Sequence, residues 1–345
     1  MKNLKTYLFP SLLFLTVNSM AQTATLIRSE NILQKPPFAE CHASTIVALS
    51  NGKLMASWFG GTRESNPDVT IWIAFYENGH WGDPLSIADG IVNDTLRYPC
   101  WNPVLFKTKA GKLFLFYKVG ENPREWWGMM IHSIDDGKTW SKPEKLPENI
   151  LGPIRCKPIQ MSNGDILHPS STESFVGNTW HIHLEKCDKD GQNWQYIPLD
   201  NGNYDIIQPT ILRYSKNELQ LLSRSRQDIV VQIWSYDNGK TWSPTLKTKL
   251  ANPNSGIDGV TLKNGLQALV YNPLTHGEEW SNGRNKLVVA ISKNGVDWTD
   301  VFTLEDEKTG EFSYPAIIQS ADGLLHITYT LNRKNIKHVI LKMEK

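Results

Sequence analysis

The chain has 345 residues, with 36 Lys and Arg against 35 Asp and Glu, and it is rich in aromatics: 13 Trp, 11 Tyr and 11 Phe. No long Pro/Ser/Gly linker or block of charge divides it, so one compact domain is the simpler organisation. The balanced charge gives no electrostatic footprint for nucleic acid or an anionic membrane surface.

Residues 1–21 read as an export signal. Lys2 and Lys5 form a basic start, "YLFPSLLFLTV" (7–17) an apolar run, and Ser19-Met20-Ala21 a small-x-small cleavage site. The run is too short to span a bilayer, and no Cys follows the cleavage site to carry a lipid. A periplasmic or secreted protein is expected, with 22–345 as a single domain. Loss of Lys2 and Lys5 leaves 34 basic against 35 acidic residues, a formal −1. Export permits disulfides, but the spacing of Cys41, Cys100, Cys156 and Cys187 leaves any pairing open. There is no C-x-x-C or H-E-x-x-H, so neither a metal site nor a cofactor is expected.

Along the mature chain two series of turns interleave. The first contains "STIVALSNGKLMASWF" (44–59), "NPVLFKTKAGKLFLFYK" (102–118), "KPIQMSNGDILHPSS" (157–171), "QPTILRYSKNELQLLSR" (208–224), "GVTLKNGLQALVYN" (259–272) and "YPAIIQSADGLLHITYT" (314–330). Each reads strand, Gly/Asn turn, strand. The second ends in tryptophan: "YENGHW" (76–81), "SIDDGKTW" (133–140), "CDKDGQNW" (187–194), "SYDNGKTW" (235–242) and "SKNGVDW" (292–298). In these the acid or amide bonds local N–H groups, Gly takes the unusual dihedral, and Trp anchors the turn on a core. The terminal tryptophans lie 59, 54, 48 and 56 residues apart, the size of a four-stranded propeller blade. Six such units predict an all-β, six-bladed propeller. The last unit lacks a Trp-ended turn and stops after "IKHVILK" (336–342), so "ATLIRSENIL" (24–33) is expected to supply its fourth strand and close the ring.

In an up-and-down blade the start of strand one and the end of strand two share a face, opposite the Trp-ended turns. That face collects Cys41, His42, Arg97, Trp101, Asn102, Arg155, Lys157, Gln208, Asp258 and Tyr314 from strand-one starts. Strand-two ends add Arg63, Glu64, Asp68, Trp126, Trp127, Glu173, Arg224, Arg226 and, after a long loop, Arg284. Arginines, acids and aromatics on one concave surface suit an anionic or hydroxylated ligand.

With these residues in place the chain resembles the sialidase (neuraminidase) superfamily, whose S-x-D-x-G-x-T-W Asp-box repeats on a six-bladed propeller. The resemblance covers the mature chain. It implies a glycan substrate, a monomer, and a glycoside hydrolase in which an arginine triad holds the sugar carboxylate, a Tyr assisted by Glu is the nucleophile, and a loop Asp is the acid/base. Tyr314 in "SYPAIIQ" matches the tyrosine, with a packed strand Tyr as the plainer reading. Asp68 in "RESNPDV" matches the acid/base, or is a turn residue. Arg224 and Arg284 match two arginines, and Arg226 is placed to substitute for the first. Two positions depart from the pattern: His42 of "ECHAST" stands where the remaining arginine belongs, and Gln208 of "IQPTIL" where the glutamate belongs. An amide takes no proton, so an ordinary sialidase is not implied.

His42 titrates near neutrality and brings proton transfer, unless it is simply bonded to a backbone carbonyl. One of Trp126 and Trp127 is expected in the core, the other stacking on sugar. Glu64 and Glu173 are spare carboxylates, and Asp258 in "NPNSGIDG" is a ligand contact or a structural turn. The expectation is an exported exo-acting glycosidase using Tyr314, Asp68, His42 and Gln208 at the reacting centre. Arg224, Arg284, Arg63, Glu64, Arg97, Trp101, Trp127, Lys157, Glu173, Arg226 and Asp258 would bind substrate. The alternatives are a polysaccharide lyase using His42 and Tyr314, or a carbohydrate-binding propeller without activity.

Overall fold

The computed structural model describes residues 22–279 and 281–344, with the backbone alone at Asn51; the expected signal segment lies outside them. Among these residues there is no α-helix, only strands and two short 3-10 turns, and no helix is long and apolar enough to cross a membrane.

Six antiparallel sheets arise in chain order as six blades. Their innermost strands are Glu40–Ala48, Cys100–Lys107, Ile159–Gln160, Ile206–Arg213, Asp258–Thr261 and Phe312–Gln319. Each pairs with the next strand through the Gly/Asn turn expected from the sequence, for example Leu54–Gly61 in blade one and Leu219–Ser225 in blade four. Strands such as Leu54–Gly61, Leu113–Val119 and Ile206–Arg213 are buried on both faces, which is why they read as near-continuous β-branched, aromatic and small residues.

The five Trp-ended turns lock blades one to five each to the blade before it. In blade two, Asp135 accepts hydrogen bonds from Thr139 N (2.9 Å) and Thr139 Oγ1 (2.7 Å) and from Ser133 Oγ (2.7 Å). These bonds, those from Thr139 first, hold its carboxyl at about 2. Asp237 repeats the pattern with Thr241 and Ser235. Gly137 and Gly239 both sit at φ 83°, where a side chain would be strained. The turn then delivers its tryptophan against the preceding blade: Trp140 packs with Met55, Trp194 with Phe116, Trp242 with Leu167, Trp298 with Leu212, and Trp81 with Ile336 of blade six.

Blade six is closed by the N-terminal strand. Ala24–Asn31 runs antiparallel to Asn335–Met343, from Ala24 opposite Met343 to Asn31 opposite Lys337. The ring therefore closes as expected, and the N-terminal strand covers the edge of blade six.

The four cysteines are buried and free. Cys41 shows the consequence of that burial, its thiol pushed up to about 12. These positions behave as small apolar residues of the core.

Deleting residues 22–34 should lower the melting temperature by at least about 5 °C, because blade six loses its outer ladder. Calorimetry of full-length and truncated protein measures this; equal melting temperatures would mean that the ring is held shut by other contacts.

Candidate active site

The mouth of the channel is built from a backbone irregularity. Blades one, two, four and six each carry a register shift at the start of the inner strand. The residue there has positive φ: Ala43 at 56°, Asn102 at 39°, Gln208 at 59° and Tyr314 at 52°. Such a bulge breaks the two-residue alternation of the strand and re-aims one side chain. A non-glycine residue pays about 1–2 kcal/mol to sit there, so the surrounding structure must hold it in place.

Tyr314 stands at the centre of the cluster. Its phenol oxygen accepts a 2.7 Å hydrogen bond from Arg224 Nη1. Arg224, buried, also donates from Nη1 to Gln208 Oε1 (3.2 Å) and from Nε to Asn254 Oδ1 (2.9 Å). Arg284 donates from Nη1 to Glu311 Oε1 (3.1 Å) and from Nη2 to the Asn254 carbonyl (3.4 Å). Glu311 Oε2 accepts from Arg333 Nε at 2.9 Å, and Arg333 reaches Glu64 with its other arm. Burial opposes the charge of Arg333, yet Glu64 and Glu311 outweigh it and hold the guanidinium above its usual value. Arg155 lies 5.3 Å from the centre of the Tyr314 ring and donates to the Pro315 carbonyl.

Arg155 is delivered by a loop fixed from beneath. Glu185, fully buried, accepts the N–H groups of Leu151 (2.9 Å) and Gly152 (2.6 Å), and Lys118 donates to the Pro153 carbonyl. Burial pulls the Lys118 ammonium down to about 7 against the pull of Glu185.

His42 packs its ring 4.2 Å from that of Tyr314, and its Nδ1 has no hydrogen-bond partner. Burial first, then the charges of Arg333, Arg284, Arg155 and Arg224, hold its pKa well below the ordinary value. The imidazole is therefore neutral, in a field that favours anions. Arg63, Glu40 and Glu64 join Arg284, Arg333 and Tyr314 in lining a cleft of about 500 Å³.

The structure brings together Tyr314, His42, Gln208, Arg224 and Arg284, with Arg63 and Glu64 at the rim. It places other residues elsewhere. Asp68 lines the neighbouring cleft with Pro36 and Trp72, and its Oδ2 accepts from Thr62 N (2.8 Å) and Oγ1 (2.7 Å). Arg97 donates to the Asp68 carbonyl at 3.4 Å. Trp101 is corrected from a ligand contact to a core residue: it is 3% exposed, packs on Trp126 and bonds the Gly120 carbonyl (2.9 Å). Trp126 is buried too, leaving half-buried Trp127 as the accessible ring of the pair.

Lys157 and Asp258 are also corrected. They bond each other (2.7 Å), and Asp258 further accepts from Thr210 Oγ1 (3.1 Å) and Ile317 N (2.9 Å). Together they tie the inner strands of four blades, and that use occupies both carboxylate oxygens. Arg226 lies over Trp180, 3.9 Å from its ring centre, and donates to Asn178. Glu173 lies beside it, raised above the ordinary carboxyl value by burial against the opposing charges of Arg224, Arg124 and Arg226.

Sequence reasoning missed Glu311, Arg333 and Asn254, and gave Arg155 no role. Glu311 lies three residues before Tyr314, and Arg333 follows strand two of blade six, where blades four and five place Arg224 and Arg284. That blade equivalence was the available signal.

Residues 52–327 match the family model described as a BNR repeat-like domain. The chain belongs to this family. It is a sialidase-like, six-bladed BNR propeller. Over 284 residues it is 23% identical to a sialidase of Bacteroides fragilis (strain YCH46), a match covering 72% of this chain and 47% of that protein. The propeller thus spans about half the length of that curated relative. Among solved structures, a protein of unknown function from Dyadobacter fermentans DSM 18053 superposes with a TM-score of 0.77 at 16% identity, covering 93% of this chain and 100% of that one. The NanB sialidase of Streptococcus pneumoniae gives 0.71 at 12% identity, over 91% and 70% of the two chains. A leech intramolecular trans-sialidase complexed with 2,7-anhydro-Neu5Ac gives 0.69 at 14%, over 92% and 70%. At these identities the superpositions report the fold.

His42 shares its depressed value with three other buried imidazoles: His168, His326 (about 4) and His338 (about 3). Their folded values lie below the unfolded value of about 6.5, so the unfolded chain binds more protons in acid. Stability should be complete above about pH 6.5 and fall as pH drops below it, by up to about 1.4 kcal/mol per imidazole per pH unit. Denaturant titrations at stepped pH measure the slope. A flat profile between pH 7 and 5 would mean that these rings accept protons in the folded state.

Proposed function

We propose that the chain is an exported, exo-acting glycosidase of sialidase type that removes a terminal acidic sugar from glycans. The observation that carries this is the Arg224 to Tyr314 hydrogen bond at 2.7 Å, inside a cluster of buried guanidinium groups beside a neutral His42. The sugar carboxylate rests against Arg224 and Arg284, where charge-assisted bonds are strongest. Tyr314 Oη attacks the anomeric carbon as the glycosidic bond breaks, and Arg224 stabilises the charge on the phenol oxygen. The phenol proton passes to His42, because Gln208 accepts none and the bound carboxylate offsets the guanidinium charges that otherwise keep the imidazole neutral. Asp68 protonates the leaving oxygen, for which its carboxyl must turn away from Thr62. Water then cleaves the glycosyl-tyrosine, giving a proton to the Asp68 carboxylate while the released Tyr314 oxygen takes back the proton held by His42.

A lyase is the second reading, favoured by one observation: His42 and Tyr314 are in contact while Asp68 lines the next cleft. There His42 would remove the proton beside a uronate carboxylate and Tyr314 would protonate the departing oxygen, leaving a double bond that absorbs in the near ultraviolet. Sialosides should be poor substrates under either reading. A lost charge-assisted bond is worth about 1.5–3 kcal/mol, roughly one to two decades in rate. Ordinary turnover of sialyl-lactose would contradict this.

Purified protein incubated with a panel of acidic glycans, read by mass spectrometry, should release a terminal monosaccharide; an unsaturated product selects the lyase. On the substrate so found, Tyr314→Phe should lose at least about a hundredfold in kcat/KM with little change in melting temperature. Full activity of that variant would make Tyr314 structural. Asp68→Asn should spare substrates with good leaving groups. Export implies a mature chain starting at Gln22, which intact-mass measurement of secreted protein checks.

A further inference from the structure

A second cleft, of about 600 Å³, opens between blades two and three and includes Arg124, Trp127, Lys145, Glu148, Glu173 and Tyr196 in its lining. Arg224 and Trp180 stand between it and Tyr314. The Arg224 guanidinium is 5.6 Å from the Tyr314 ring centre and 5.6 Å from that of Trp180, and Trp180 is the cross-strand partner of Glu173. The same guanidinium is the strongest charge acting on the Glu173 carboxyl.

The two clefts differ in chemistry. Around Tyr314, Arg63, Arg155, Arg224, Arg284 and Arg333 exceed the nearby carboxylates Glu40, Glu64 and Glu311. The second cleft balances Arg124 and Lys145 against Glu148 and Glu173, and adds aromatic surface. Trp127 is half-buried, held edge-on by Tyr98 at 5.5 Å, with the ammonium of exposed Lys145 over its ring at 5.0 Å. A fixed indole with donors and acceptors of both signs around it suits an uncharged, hydroxylated ring, whose C–H face covers the indole once the exposed Lys145 chain swings aside.

Resting on the glycosidase reading, we infer that this cleft binds the uncharged pyranose units that follow the acidic terminal sugar, with Trp127 as the stacking platform. Arg124 and Glu173 bond sugar hydroxyls. The site thereby separates the two halves of the substrate: charge is read at Tyr314, chain identity at Trp127.

The test uses binding alone, so it stands whether or not the protein turns over any glycan. Lactose, cellobiose and maltose, each at millimolar concentration, are examined by saturation-transfer NMR against the full chain. At least one should receive saturation on its ring C–H protons in the native protein and in Tyr314→Phe, lose it in Trp127→Ala, and keep a weaker signal in Trp127→Phe. In the native protein the Trp127 indole N–H resonance, assigned through Trp127→Phe, should move on titration; this readout holds even if Trp127→Ala folds poorly. Silence from all three disaccharides overturns the inference, as does an unmoved indole or a signal lost in Tyr314→Phe. If binding behaves as expected but Tyr314→Phe retains full turnover, the subsite stands and the catalytic reading falls.

Discussion

Six inner strands converge on one channel, and the way the chain relieves that convergence creates the site. A regular strand would send alternate side chains into the two neighbouring blades and leave nothing pointing along the axis. In four blades a one-residue bulge at positive φ interrupts the alternation. The bulge residues are Ala43, Asn102, Gln208 and Tyr314. Two of them, Gln208 and Tyr314, meet on the same nitrogen of Arg224. Strained backbone of this kind persists only where neighbours over-determine it, and here Ser171 bonds Gln208 N at 3.1 Å while Arg155 grips the Pro315 carbonyl.

Charge is the second constraint. Buried guanidinium groups tolerate one another only when each has acceptors. Glu311 serves two at once, Arg284 and Arg333, and Asn254 serves Arg224 and Arg284 through its side chain and carbonyl. The arrangement spreads a few acceptors across several cations, leaving a field that adds to burial in keeping His42 neutral. Supporting layers lie further out: Glu185 and Lys118 shape the Arg155 loop without reaching the cleft.

The fold was largely legible because its signals are local. An Asp or Asn, a Gly and a Trp within one octapeptide make a turn wherever they occur, and their period gives the blade. Tyr314, Arg224 and Arg284 could be placed from that period alone. What local pattern does not carry is which partner a charged side chain chooses. Lys157 and Asp258 sat at mouth positions but bind each other across blades, since a buried carboxylate takes the nearest donors. Trp101 likewise lies at a strand-one start, yet the bulge at Asn102 accompanies its burial against Trp126. Glu311 escaped notice because its value comes from two arginines contributed by blades five and six.

The pairing of Ala24–Asn31 with Asn335–Met343 also sets an order of events. Ribosomes make the first strand before any other part of the propeller, and its partner almost last. Until then blade six lacks its neighbour and the first strand carries an unpaired edge, the kind of surface that associates with other chains. Contacts so distant in sequence form slowly, so the interval is set by chain length as well as by chemistry. Joining the ends of Ala24 and Met343 and reopening the ring at an exposed hairpin turn would make that pairing local while leaving every site residue in place.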